Sequence, residues 1–498
     1  MQITGRVEWI TAKQGVRTRY CRGSKLGKTR EWDEHAKLCQ AGYHVRNAVT
    51  SAAAKPSTVP SPLLSTSEEG FQLACISQPS LWPCYSRVAI VFNAGSRYER
   101  EGKDRGITHL IRRSCGLSTF DHSAVNMTRH LQQMGARVTC TTTREHMIYT
   151  VDVAPNLVSR AGSILAELAT SSAFYHWELK SIANVLMKKD IDLLNRRYLP
   201  ALAMELLHEA AFGLNPLGSG LGYSVFAPAD RVGSYTIDQI EKFHQYFFTP
   251  ANTTIALVGH ESDQDGLELL RRIKGNLKVR APKTVPEKVG KVHGFVGGDI
   301  RRDVAAASSV TANLAWPTPG SAVPDETAFD LAASLLSGAI GRVAYSHGQT
   351  QTHLAPGNID DRVEAAAFHK AYTGDGLFGV SVSGPTAQAV EGRLSNIVNA
   401  IRAVKFTAED LARAKALRKA DILMSFESPL TLATDLAVQV SKPGHTYQSP
   451  KDRAAAVDKV TLEQLNGVFN QMAKSSKAAL SVVGPEAGEV LPLPVLLS

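Results

Sequence analysis

Cysteine is scarce in this chain: six residues in 498, at positions 21, 39, 75, 84, 115 and 140, with none beyond Cys140. No two form a Cys-x-x-Cys pair, so the sequence offers neither a disulfide framework nor a structural zinc site, and its thiols suit a reducing compartment. Long apolar runs are missing as well. No stretch reaches the ~18 uninterrupted apolar residues that a membrane-crossing helix needs, and the apolar tail at 491–497 is short and interrupted by proline. Any membrane association is therefore expected to be peripheral. Nucleotide fingerprints are also absent. The glycines of Gly23 to Thr29 are one residue too close for a phosphate-binding loop, and Gly218 to Gly222 follows a helical stretch where a dinucleotide fingerprint follows a strand. There is no Gly-x-Ser-x-Gly elbow and no ligand set for haem or an iron-sulfur cluster, so no cofactor is expected.

What is present is ordinary for a folded protein: 44% apolar and 20% charged residues, and length enough for two to four domains. The net charge of +9 is unevenly placed, because residues 1–46 carry +6 of it. The remainder is nearly neutral, which argues against a nucleic-acid partner. The first 30 residues hold eight basic side chains and a single acid, Glu8, the profile of a mitochondrial presequence. Trp9, Trp32 and the acids at 31–34 fit that profile less well, and a basic tail or a misassigned start is the competing reading.

A repeat shows through the sequence. Thr236-Ile237-Asp238-Gln239-Ile240 begins a helical pattern that reaches, 23 residues after Thr236, the end of the β-branched run Ile255 to Gly259; Thr461-Leu462-Glu463-Gln464-Leu465 leads over the same spacing to Leu480 through Gly484. Two homologous halves explain this better than coincidence. The basic, proline-containing stretch 278–292 reads as a linker between them. The expected organisation is a leader and linker over 1–65, a first domain over 66–277, the linker, and a second domain over 293–498. Strands are expected near 71–76, 87–94, 137–153, 296–316 and 376–383. Helices are expected near 123–134, 156–170, 175–197, 200–211, 236–248, 325–337, 387–402, 407–426 and 461–472. That mixture predicts α+β halves, each with a mainly antiparallel sheet covered by helices.

The segment with most chemical content is Gly106-Ile107-Thr108-His109-Leu110-Ile111-Arg112-Arg113. It follows an apolar strand and the turn Ala94-Gly95-Ser96-Arg97-Tyr98-Glu99. An inverted zinc-peptidase motif, His-x-x-Glu-His, would place two ligands four apart on one helical face with a general base beside the second. Here Arg112 stands at the base position and Arg113 at the second ligand position. A guanidinium has no lone pair for a metal and would repel one held by His109. Taken alone, His109 reads as a lone histidine on a short helix.

In context the chain resembles the pitrilysin-like (M16) metallopeptidases. The likeness is to the noncatalytic branch that includes the core proteins of respiratory complex III and is related to the subunits of the mitochondrial processing peptidase. The residues that carry it are Ala94 to Glu99, Thr108 to Arg112, Thr142-Thr143-Arg144-Glu145-His146-Met147, Gly297 to Arg301, Ala371 to Gly379, and Leu423 to Ser428. They span roughly residues 65–485. This resemblance implies two α+β domains closing as a clam-shell, and no catalytic, cofactor or metal residue of its own. The family's downstream glutamate, counted 76 residues past Arg113, falls on Lys189; a slip of one would bring Asp190 there. It also implies core protein 1 and the other complex III subunits as partners, on the matrix side of the inner membrane. The related noncatalytic peptidase subunit carries a glycine-rich loop, matched here by Ser337-Gly338-Ala339-Ile340-Gly341-Arg342 with only two glycines. The apolar tail at 491–497 is expected to pack on a neighbouring subunit.

Overall fold

The computed structural model describes residues 61–77, 85–100, 104–214, 220–279, 294–321, 326–340, 362–403, 406–442, 447–475 and 477–496. The expected presequence, most of the linker at 280–293 and the end of the 337–342 loop lie outside them. Six strands build the first sheet: β1 (Leu63–Thr66), β2 (Gln72–Ser77), β3 (Ser86–Phe92), β4 (Arg137–Thr142), β5 (Met147–Val153) and β6 (Thr253–His260). Five build the second: β7 (Gly298–Asp303), β8 (Val310–Pro319), β9 (Glu364–Ala371), β10 (Asp375–Gly384) and β11 (Ala479–Gly484). The spatial orders are β1-β2-β6-β3-β5-β4 and β7-β11-β8-β10-β9. Without β1 they are one topology used twice, with a single parallel pair in each, β2 with β6 and β7 with β11. β1 begins inside the stretch 1–65 assigned from sequence to leader and linker, so the first sheet starts at Leu63.

The repeated unit forms the centre of each sheet. Thr236 caps the helix Ile237–Phe247 and Thr461 the helix Leu462–Lys474, each in a capping box closed by the glutamine three residues on. β6 and β11 follow, with Gly259 (φ +91°) next to last in β6 and Gly484 (φ +147°) last in β11. A Cβ at either glycine would run into backbone, of Tyr85 in one case and Val310 in the other. The repeat therefore specifies both ends of the central strand.

Both sheets are buried on both faces, and alternation along the strands sorts the side chains. In β2, β3 and β6, Leu73, Cys75, Val88, Ile90, Ile255 and Leu257 face helices of the same half, such as Val158–Thr170 and Asp263–Gly275. Their neighbours Ala74, Ile76, Ala89, Val91, Ala256 and Val258 join a cluster with Leu432, Ala433, Leu436 and Ala437 of the helix Pro429–Ser441, from the other half. The converse holds for the second sheet. Ala315, Leu377 and Ala479 pack on Leu207 and Ala211 of the helix Leu199–Phe212, and the Ser481 hydroxyl donates to the Ala203 carbonyl at 2.7 Å. Each half thus lends one helix to the other's sheet. The alanines on the receiving faces let the helices approach closely.

Three helices, Asp263–Gly275, Pro429–Ser441 and Pro450–Lys459, were not delimited from sequence. The tail is also placed differently from expectation. Leu491, Leu493 and Leu496 pack on the second half's own core, and Arg301 donates to the carbonyls of Val490 (2.6 Å) and Leu491 (3.2 Å). Among the described residues of the tail, Val495 is the one large apolar side chain that stays exposed.

Candidate functional site

The helix Ile107–Ser114 carries His109 and starts where it does for a local reason. Gly106 adopts φ +86°, and a Cβ there would strike Tyr235 and Ala227. Glu99, fully buried at the end of the preceding turn, caps the first helical turn. It accepts from the Gly106 N–H (2.7 Å), the Thr108 N–H (3.0 Å) and the Thr108 hydroxyl (2.6 Å). Burial pushes the Glu99 carboxyl up to about 7, against the lowering pull of these donors.

His109 is completely buried and both ring nitrogens are engaged. Nδ1 accepts from the Ala227 N–H at 3.1 Å, which leaves the proton on Nε2, donated to Asp190 Oδ2 at 3.0 Å. Asp190 also takes a bidentate fork from Arg113, with Arg112 Nη2 3.7 Å away. Arg112 stacks over the Phe226 ring at 5.2 Å from its centroid, while its buried Nε has no hydrogen-bond partner. Burial, then the Arg112 charge, pushes His109 down to about 4. Burial works to raise Asp190, but the bonds from Arg113 and His109 outweigh it and hold the carboxylate low.

Of the two residues weighed for the downstream glutamate position, Lys189 by count and Asp190 by a slip of one, it is Asp190 that meets His109. Lys189 faces solvent, and Asp190 points into the site from the helix Asn184–Arg196. Directly upstream, Leu179–Ala183 forms a π-helical turn.

Zinc does not suit these donors. The lone pair on Nδ1 of His109 is already bonded, Nε2 carries the proton, and Arg112 and Arg113 are cations at the two remaining motif positions. Among the described residues no cluster of three or more His, Cys, Asp or Glu could hold a metal. Cys75 offers no replacement chemistry: it is buried and pushed up to about 12, chiefly by burial.

Several of the other segments singled out in the sequence meet at a buried junction between the halves. Arg97 Nη1 donates to Glu145 (2.6 Å) and to the Thr373 carbonyl (2.9 Å), and the Thr373 N–H returns to Glu145 at 2.9 Å. Arg144 pairs with Glu205 at 2.7 Å. His208 Nδ1 donates to the Met204 carbonyl (2.7 Å), leaving Nε2 to accept from the Tyr372 hydroxyl at 2.9 Å. Sequence reasoning missed Glu205, His208, Phe226 and Ala227; nothing local marks them, since each acquires its role from a partner far along the chain.

Comparison with known proteins agrees with this architecture. Residues 83–224 match the family described as insulinase (peptidase family M16), and residues 234–418 match the peptidase M16 inactive domain. The mitochondrial-processing peptidase subunit alpha of Solanum tuberosum is 27% identical over 448 residues, 86% of this chain and 82% of the relative. The mitochondrial cytochrome b-c1 complex subunit 2 of Homo sapiens is 27% identical over 381 residues, 75% of this chain and 80% of the relative. The crystal structure of a protease from Helicobacter pylori superposes with a TM-score of 0.72 at 18% identity, over 86% of this chain and 100% of that one, which shows the clam-shell fold.

Proposed function

We propose that this chain, built of two peptidase M16-type domains, is a noncatalytic core subunit of respiratory complex III that supports the assembly and stability of the complex at the matrix side of the inner membrane. The observation that carries the noncatalytic part is the His109–Asp190–Arg113 cluster. Every group that a metallopeptidase would use on zinc or water is here tied into an internal ion-pair network. The buried junction of Arg97, Glu145 and Thr373 adds to it: a scaffold gains from halves that are locked together.

The choice of assembly rests on the likeness to cytochrome b-c1 complex subunit 2 and on the glycine-poor 337–342 segment. The second reading, an alpha-type subunit of the mitochondrial processing peptidase, is favoured by the extent of the match to the Solanum tuberosum subunit. Copurification under mild detergent distinguishes the two. The complex III reading expects cytochromes and a core protein 1-type chain to copurify, and depletion of the protein to reduce the assembled complex on native gels. A partner that carries an intact His-x-x-Glu-His motif without cytochromes would replace it with the peptidase reading.

A further inference from the structure

The outer face of the helical stretch 176–196 is used by neither the His109 cluster nor the interdomain junction. Asp190, Ile191 and Leu194 turn inward, and the opposite side carries Lys180, Lys188, Lys189 and Arg196, all exposed. None of these four cations forms an ion pair with a described residue; among their neighbours Asp190 is held by Arg113, and the Glu178 carboxylate accepts from the Ser118 hydroxyl. Asp192 is the one exposed acid in the stretch. Between the cations stand three large apolar side chains in water: Trp177 (54% exposed), Ile182 (40%) and Val185 (56%). Trp177 is held in place by stacking on Tyr175, with ring centroids 4.5 Å apart. Residues 185, 188, 189, 192 and 196 share one helical face, and the π turn at Leu179–Ala183 opens the turn that leads from Trp177 to them.

We propose that this face docks on an anionic phospholipid surface. Clustered lysines and arginines on a helix are drawn to such a surface. A tryptophan and two β-branched side chains set among them match the boundary between headgroups and acyl chains. The dispersal of charge is what favours lipid over an acidic protein. In a fluid headgroup layer every cation finds a phosphate, whereas a rigid partner would need carboxylates at four matching positions. No described helix is long and apolar enough to cross a membrane, so the contact is one of surface only. The proposal holds for either assembly considered above.

The test is flotation of the full chain with vesicles of phosphatidylcholine alone and of phosphatidylcholine with ~30% phosphatidylglycerol. The expected result is binding to the anionic vesicles only, weakened by salt, with the triple variant Lys180→Glu, Lys188→Glu, Lys189→Glu reducing partition by ~10-fold or more while thermal unfolding is unchanged. Trp177→Ala should reduce partition without altering the salt dependence. Equal binding of the triple variant would assign membrane contact to another basic region, such as residues 1–46, and overturn the proposal. So would failure to bind anionic vesicles together with capture of an acidic protein through Lys188 and Lys189.

Discussion

The two halves share one topology yet bury different chemistry. In the first, the core and its margins enclose Arg97, Glu99, Asp104, His109, Arg144, Glu145, His146, His208 and His244; in the second, Arg393 and the side chain of His369 are equally enclosed among the described residues. Both halves fold around the same capped helix, central strand and terminal glycine, so buried charge is not needed to build this sheet. In the first half it gathers in the His109–Asp190–Arg113 cluster and in the junction of Arg97, Glu145 and Thr373.

The contrast can be broken most sharply by rebuilding the lost site. The double variant Arg112→Glu, Arg113→His restores His-x-x-Glu-His beside Asp190, and is expected to bind about one zinc per chain where the parent protein binds none by metal analysis. A metal-free double variant would show that the cluster has diverged beyond its ancestral geometry. Next in size are the exchanged helices. Leu436→Ala and Leu207→Ala, one on each lent helix, should each cost ~2–5 kcal/mol in denaturant unfolding, equally in the two halves because the packing is reciprocal. Asp190→Ala should cost less, about 2–3 kcal/mol, since it strands His109 and two arginines but leaves Arg113 open to water.

Acid should act through the first half. Burial pushes His109 and His146 down to about 4 in the folded chain, against 6.5 when unfolded. As pH falls below 6.5 the unfolded chain gains protons that the folded one refuses, so stability is lost progressively toward pH 4. Glu99 works in the opposite sense. Its folded value of about 7 lies above the ordinary 4.5, so its contribution is full below 4.5 and disappears as pH rises through 7. Urea midpoints at pH 7 and pH 5 should therefore differ less in His146→Gln than in the parent protein. The smallest effect sharpens the likeness of the halves: Thr236→Ala and Thr461→Ala should each cost about 1 kcal/mol, by loss of equivalent caps.

These differences track what could be read from the sequence. The repeated unit was legible because cap, periodicity and closing glycine all lie within 23 residues, and the His109 segment because its charges contradict a spaced motif. The exchange of the helices Leu199–Phe212 and Pro429–Ser441 was not legible. Ser428 and Pro429 mark a helix start, but no local pattern says that Leu432 and Leu436 cover Ala89 and Ala256. Asp190 rather than Lys189 reaches His109 because it lies on the inward face of the helix Asn184–Arg196, which residue counting does not register.

The reciprocal loan of helices also bears on how the chain is made. β6 ends at residue 260, but the helix that covers the open side of its sheet is complete only at residue 441. At ribosomal rates that leaves an apolar surface uncovered for roughly 10–40 s. The nascent first half must therefore be shielded during synthesis, and expressing it alone would yield aggregates that coexpression of the second half relieves.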